Sequence, residues 1–157
     1  MTVRSTLISF AVAAAVNAPP LLAQPPGGKP VFTAAQAEAG KKHYDITCSP
    51  CHGSDMGGAD APGLAGGDFA KAWSTQTTSD LFKYVQGMPP GGTPLPDDAN
   101  LTVVAYILQQ NGAVAGPTPL LATTAAKIGD IATGKRPPVA VAVAVAVAVA
   151  VAVSHRR

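Results

Sequence analysis

The chain has 157 residues, enough for one domain with lengths to spare at its ends. Glycine (16) and proline (15) are plentiful while aromatics make up only 5%, so large side chains are scarce and a bound group could supply part of the core's apolar volume. The net charge of +2 is uneven: eight acids face four bases between Ala34 and Gly112, whereas beyond Gly112 five bases face Asp130 alone. The acidic middle gives no footing for a binder of phosphate backbones.

The chain opens with a positive residue, Arg4, and an apolar run from Leu7 to Val16. That run has the length of a secretory signal and falls short of a bilayer span. Residues 1–23 are therefore expected to be a signal peptide cut after Ala23, with Ala18 as second choice and an uncleaved anchor as the alternative. Export to the periplasm or beyond would place the two cysteines in an oxidising compartment.

Residues 24–32 contain QPPGGKPV and are expected to be a linker. Thr33 is a good N-cap for a helix over Ala34 to His43, with Glu38 near its start. Gly40 is costly inside that helix unless a neighbour must come close. Gly53 to Asp68 is a glycine-dense loop, followed by a short helical turn over Phe69 to Trp73. Ser79 is expected to cap a helix over Asp80 to Gln86 with Leu81, Phe82 and Val85 on its apolar face. Asp97 or Asp98 is expected to cap a last helix, Ala99 to Gln110, with Leu101, Val104, Ala105 and Leu108 on one face, stopped by Asn111-Gly112. The middle is thus all-α, three to four short helices joined by glycine-rich loops. Residues 113–138 read as a second linker. Residues 139–157 read as a low-complexity Val-Ala tail, with basic flanks that could rest on anionic lipid as the alternative.

Cys48-Ser49-Pro50-Cys51-His52 contains both cysteines of the chain. A structural zinc site wants four Cys or His ligands, and besides His52 the histidines are His43 and the distant His155. A redox dithiol wants a strand before it and a helix after it, but here a helix precedes. A disulfide closing so short a loop adds little and leaves His52 without a role. Haem attachment uses all three residues: two thiols form thioethers with one porphyrin, and the next imidazole ligates the iron. A second axial ligand must come from far along the chain. Met56 is too close to His52 and is expected to pack its loop. Met88, in a stiff proline-flanked loop, is the remaining choice.

With these residues the chain resembles class I (monohaem, mitochondrial-type) cytochrome c domains over 33–112. The resemblance rests on Gly40 and Tyr44 before Cys48–His52, Ala61-Pro62-Gly63-Leu64 after it, Met88-Pro89-Pro90, and Val103 to Leu108 near the end. It implies that one haem c is held covalently among the helices and loops. It implies that the first and last helices cross, with Gly40 and Tyr44 facing Ala105 and Tyr106. It also implies that the Pro62 carbonyl accepts a hydrogen bond from the His52 ring, that Leu64 packs on the haem, and that Trp73 lines its pocket. The loop pattern DMGG and APGLA, with YILQQNG later, is further similar to small cytochromes associated with bacterial quinoprotein dehydrogenases.

The function implied is one-electron transfer through iron held by His52 and Met88, with no catalytic residues. The expected partners are redox proteins: a dehydrogenase donor and an oxidase or cytochrome acceptor. Two other readings are a dedicated cytochrome subunit of a quinoprotein dehydrogenase, and a haem enzyme or sensor in which Met88 is displaced.

Overall fold

A computed structural model describes residues 28–135. The signal segment with its cleavage points and the Val-Ala tail lie outside the described residues.

The first helix, α1, runs Ala34–His43. Thr33 caps it with a capping box: its hydroxyl accepts from the Gln36 N–H at 3.2 Å, and the Gln36 amide oxygen accepts from the Thr33 N–H at 3.1 Å. The helix then widens into a π-helical turn over Tyr44–Cys48 and tightens again as α2, Ser49–His52. Pro50 explains the widening. It has no N–H to give the carbonyl four residues back, and its ring would strike that carbonyl in a regular helix. Ser49 bridges the gap by reaching the Tyr44 carbonyl with its N–H and the Asp45 carbonyl with its hydroxyl. Gly53, at φ 79°, ends α2.

Next come α3 (Gly67–Trp73), α4 (Thr78–Val85) and α5 (Asp97–Gln110). The cap of α4 is Thr77 rather than the expected Ser79. Asp80 lies three residues after Thr77 and completes a reciprocal box, accepting from the Thr77 N–H at 3.1 Å. Those hydrogen bonds hold the Asp80 carboxyl below its ordinary range. Helix α5 starts at Asp97, its N-cap position is Pro96 without a side-chain bond, and the Asp98 carboxylate accepts from the Ala99 N–H.

Helix α5 is the axis of the core. Its residues Val103 to Leu108 are all buried, well beyond the single face expected from its apolar spacing. Helices α1 and α4 both pack on it. Gly40 explains how α1 comes so close: a Cβ there would overlap the Thr102 carbonyl oxygen and meet the Tyr106 Cβ at 3.0 Å. The glycine therefore lies against Thr102 and Tyr106, while Ala105 is fully buried nearby in sequence. One turn on, Tyr44 and Tyr106 meet edge to face at 5.6 Å.

Two stretches expected to be linkers instead pack on this body. Phe32 is fully buried. Residues 113–135 form a strap that includes a single helical turn, α6 (Ile128–Ile131), and buries Leu120, Ile128, Ile131 and Ala132 in the same core cluster. Gln36 accepts from the Leu120 N–H and donates to the Leu120 carbonyl, so one side chain caps α1 and ties down the strap. The Thr78 N–H donates to the Ala126 carbonyl, and the Thr78 hydroxyl accepts from the Ala126 N–H and donates to the Thr124 carbonyl. The Pro and Gly content that suggested a linker hid an apolar residue every few positions. Among the described residues no strand forms beyond an isolated bridge between Thr77 and Lys127, and no helix is long and apolar enough to cross a membrane.

Candidate functional site

Cys48 closes the π-helical turn, and Cys51 and His52 lie on α2. The intervening turn leaves Cys51 exposed and Cys48 half-buried against the core, with no disulfide between them. Burial pushes the Cys48 thiol up to about 11. The Tyr44 hydroxyl donates to the Gly53 carbonyl at 2.7 Å, which pins the end of α2 to the first helical stretch. Burial raises the Tyr44 phenol well above its ordinary value, so it stays a neutral donor.

The loop after α2 is held by its own backbone. Gly58 donates to the His52 carbonyl and Ala61 to the Cys51 carbonyl, each at 2.9 Å. Leu64 donates to the Met56 carbonyl at 2.9 Å. Met56 is 1% exposed and sits at φ 62°, the loop-packing position expected of it. These bonds carry Pro62 to His52, whose Nδ1 lies 2.7 Å from the Pro62 carbonyl oxygen. A carbonyl only accepts, so Nδ1 carries the proton and Nε2 keeps its lone pair for a metal.

His52, Pro62, Leu64 and Trp73 line one cleft of about 610 Å³, within the roughly 300–1,000 Å³ typical of cofactor pockets. Tyr84 adds an aromatic wall, and Asp68, Asp80 and Lys83 add charge. Sequence reasoning missed Tyr84. It is 57% exposed, and its ring meets Trp73 edge-on at 5.4 Å. Its place one turn along α4 from Asp80 was the available signal. Met88 follows α4, its N–H bonded to the Val85 carbonyl, half-buried and away from the lining of this cleft. The structure thus gathers four of the seven expected site residues in the cleft and keeps Cys48 and Cys51 on the adjoining helical turns, while Met88 is not among the residues that line it.

Residues 35–107 match the family model described as cytochrome c oxidase, cbb3-type, subunit III. These residues form a class I cytochrome c domain. Its all-α build agrees with that fold. A cytochrome c domain carries haem c, with its iron, in covalent attachment, and works as an electron-transfer protein with redox proteins as partners. The residues present fit that group: two thiols on successive helical turns, an imidazole with Nδ1 already committed, and partly exposed apolar side chains around a cofactor-sized cleft. The strap lies beyond the matched stretch. Neither the curated proteins nor the solved structures give a match.

Proposed function

We propose that this chain is an exported monohaem cytochrome that relays single electrons, with Cys48 and Cys51 as the thioether anchors and His52 and Met88 as the axial ligands. The observation that carries the reading is the His52–Pro62 hydrogen bond at the edge of the cleft. Its geometry commits one ring nitrogen and frees the other, the arrangement expected of a metal-ligating histidine. When bound, haem c supplies an iron that takes up one electron and returns it.

The protein's own residues do the rest. Leu64, Trp73 and Tyr84 line one side of the cleft, and an apolar wall against the bound group would disfavour the added charge of the oxidised state. Met88 would contribute a thioether, which would raise the potential relative to a second nitrogen ligand. With His52 and Met88 both holding the iron, no position would be left for a substrate, which favours a carrier over a haem enzyme or sensor.

Partners meet the domain briefly through a small interface. The excess of acids between Ala34 and Gly112 favours a basic docking surface, with association slowing as salt rises. A subunit reading also has support. The matching family is described as an oxidase subunit, and the loop pattern resembles cytochromes of quinoprotein dehydrogenases. In either complex the domain would do the same work for a fixed neighbour.

The test is a reduced-minus-oxidised spectrum of the full chain matured with the c-type haem machinery. The reading expects haem that survives denaturation on the polypeptide, low-spin iron, and the weak band at the red edge of the visible that marks an iron–thioether bond. A high-spin oxidised spectrum would instead favour an enzyme or sensor with an open iron site. Co-purification with a large dehydrogenase or oxidase would separate the subunit from the free shuttle.

A further inference from the structure

We infer that Asn111 is a positioning residue for His52: from the end of α5 it holds the loop whose Pro62 carbonyl orients the imidazole, and the strap locks it there. The inference rests on the proposal that His52 ligates the iron.

Asn111 is fully buried, and its side chain spends its bonds on backbone. Its Nδ2 donates to the Leu64 and Ile107 carbonyls, each at 2.8 Å, and its Oδ1 accepts from the Gly66 N–H at 3.0 Å. A residue that merely ends a helix need bond only to that helix. Asn111 reaches 47 and 45 positions back along the chain, to Leu64 and Gly66. Those two residues lie just beyond Pro62, in the segment that also returns to Met56. The Pro62–Gly66 loop is therefore fixed from two sides, and the carbonyl facing His52 Nδ1 is fixed with it.

The strap closes on the same point. The Gly134 N–H donates to the Asn111 carbonyl at 3.0 Å. A Cβ on Gly134 would come 2.7 Å from the Gly66 carbonyl oxygen and 3.0 Å from the Ala70 Cβ, and one on Gly112 would come 2.5 Å from the Lys135 carbonyl oxygen. Only bare backbone fits between the strap and the loop. Both Asn111 and the strap lie outside the stretch that matches the family model.

The consequence follows from the ligand's chemistry. A hydrogen bond from Nδ1 fixes the ring and makes Nε2 a stronger donor, which favours the oxidised iron and lowers the potential. Loosening the loop weakens that bond and raises the potential. A fully satisfied buried amide is also the kind of group whose removal leaves several backbone groups unpaired at once.

The experiment compares the full-length haem-loaded protein with Asn111→Ala and Gly134→Ala. Three quantities are read: midpoint potential, solvent exchange of the His52 Nδ1 proton in the reduced state, and exchange of the Gly66 amide. The expected result is an upward shift in midpoint with faster exchange at both sites, larger for Asn111→Ala, while the iron–thioether band is retained. If Asn111→Ala does not assemble, Gly134→Ala decides alone, since it presses on the Gly66 carbonyl without removing a side-chain bond. Faster Gly66 exchange with unchanged midpoint and unchanged Nδ1 exchange overturns the inference, because the loop would then move without consequence for His52. A wild-type chain that takes up no haem in the same maturation overturns the proposed function, and this inference with it; haem uptake with unaltered variants overturns this inference alone.

Discussion

Gly40 of α1 lies directly on the Thr102 carbonyl of α5, so close that a side chain of any size would overlap the oxygen. The contact sets the crossing of the two helices that carry most of the fold, and the Tyr44–Tyr106 ring pair extends it by one turn. Gly40→Ala is expected to lose about 1–3 kcal/mol or more, the usual cost of overpacking, even though alanine is the better helix former. Chemical denaturation of the haem-loaded protein measures it. A neutral or stabilising effect would mean that the helices do not cross here.

The two internal methionines separate packing from ligation. Met56 is buried, and Met56→Ala is expected to cost about 2–5 kcal/mol while leaving the iron–thioether band in place. Met88→Ala is expected to abolish that band and lower the potential at a smaller cost in stability. Exchange of the two phenotypes would identify Met56 as the ligand.

The strap should behave as part of the domain. Ile128 is fully buried, and Ile128→Ala is expected to destabilise by about 2–5 kcal/mol within a single cooperative unfolding transition. A change near zero would return residues 113–135 to the linker that their prolines suggest.

The cap of α4 offers a sharper comparison. Thr77→Ala is expected to cost about 1 kcal/mol, since it removes the hydroxyl that accepts from the Asp80 N–H and donates to the Asp80 carboxylate. Ser79→Ala should cost much less. Thermal melts of both variants under the same conditions decide between the caps.

Cys48 gives a pH dependence with a defined sign. Its thiol rises from 9.0 to about 11 on folding because burial penalises the thiolate. The folded state therefore holds the proton more tightly than the unfolded chain. The resulting stability is fully present below about pH 9 and disappears as the pH climbs from there to about 11. Denaturation of the haem-free chain across that window should show the decline. Once the sulfur is a thioether it has no proton to lose, so the haem-loaded protein should lack this contribution. A haem-free chain of constant stability up to about pH 11 would contradict it.

Much of the candidate site was legible in the linear chain because its chemistry is local. Cys48, Cys51 and His52 are close neighbours in sequence, and their spacing is itself the signal. The bounds of α1 were equally legible, since a cap and a run of helix formers act within one or two turns. Other features were not. The π-helical turn depends on Pro50 interrupting a helix that would otherwise continue, and Tyr84 joins the cleft only because α3 and α4 bring two aromatic rings together.

By itself, then, the sequence determined the kind of chemistry and the helical class, since motif spacing, capping and apolar periodicity all act over short separations. Only the tertiary structure decided which atoms surround that chemistry. It brought the Pro62 carbonyl to His52, carried Asn111 back to the loop, placed Gly40 under Thr102, and turned a Pro-rich stretch into a packed strap. Such pairings join residues from 10 to 84 positions apart, and they depend on burial and on satisfying backbone groups within one shared core.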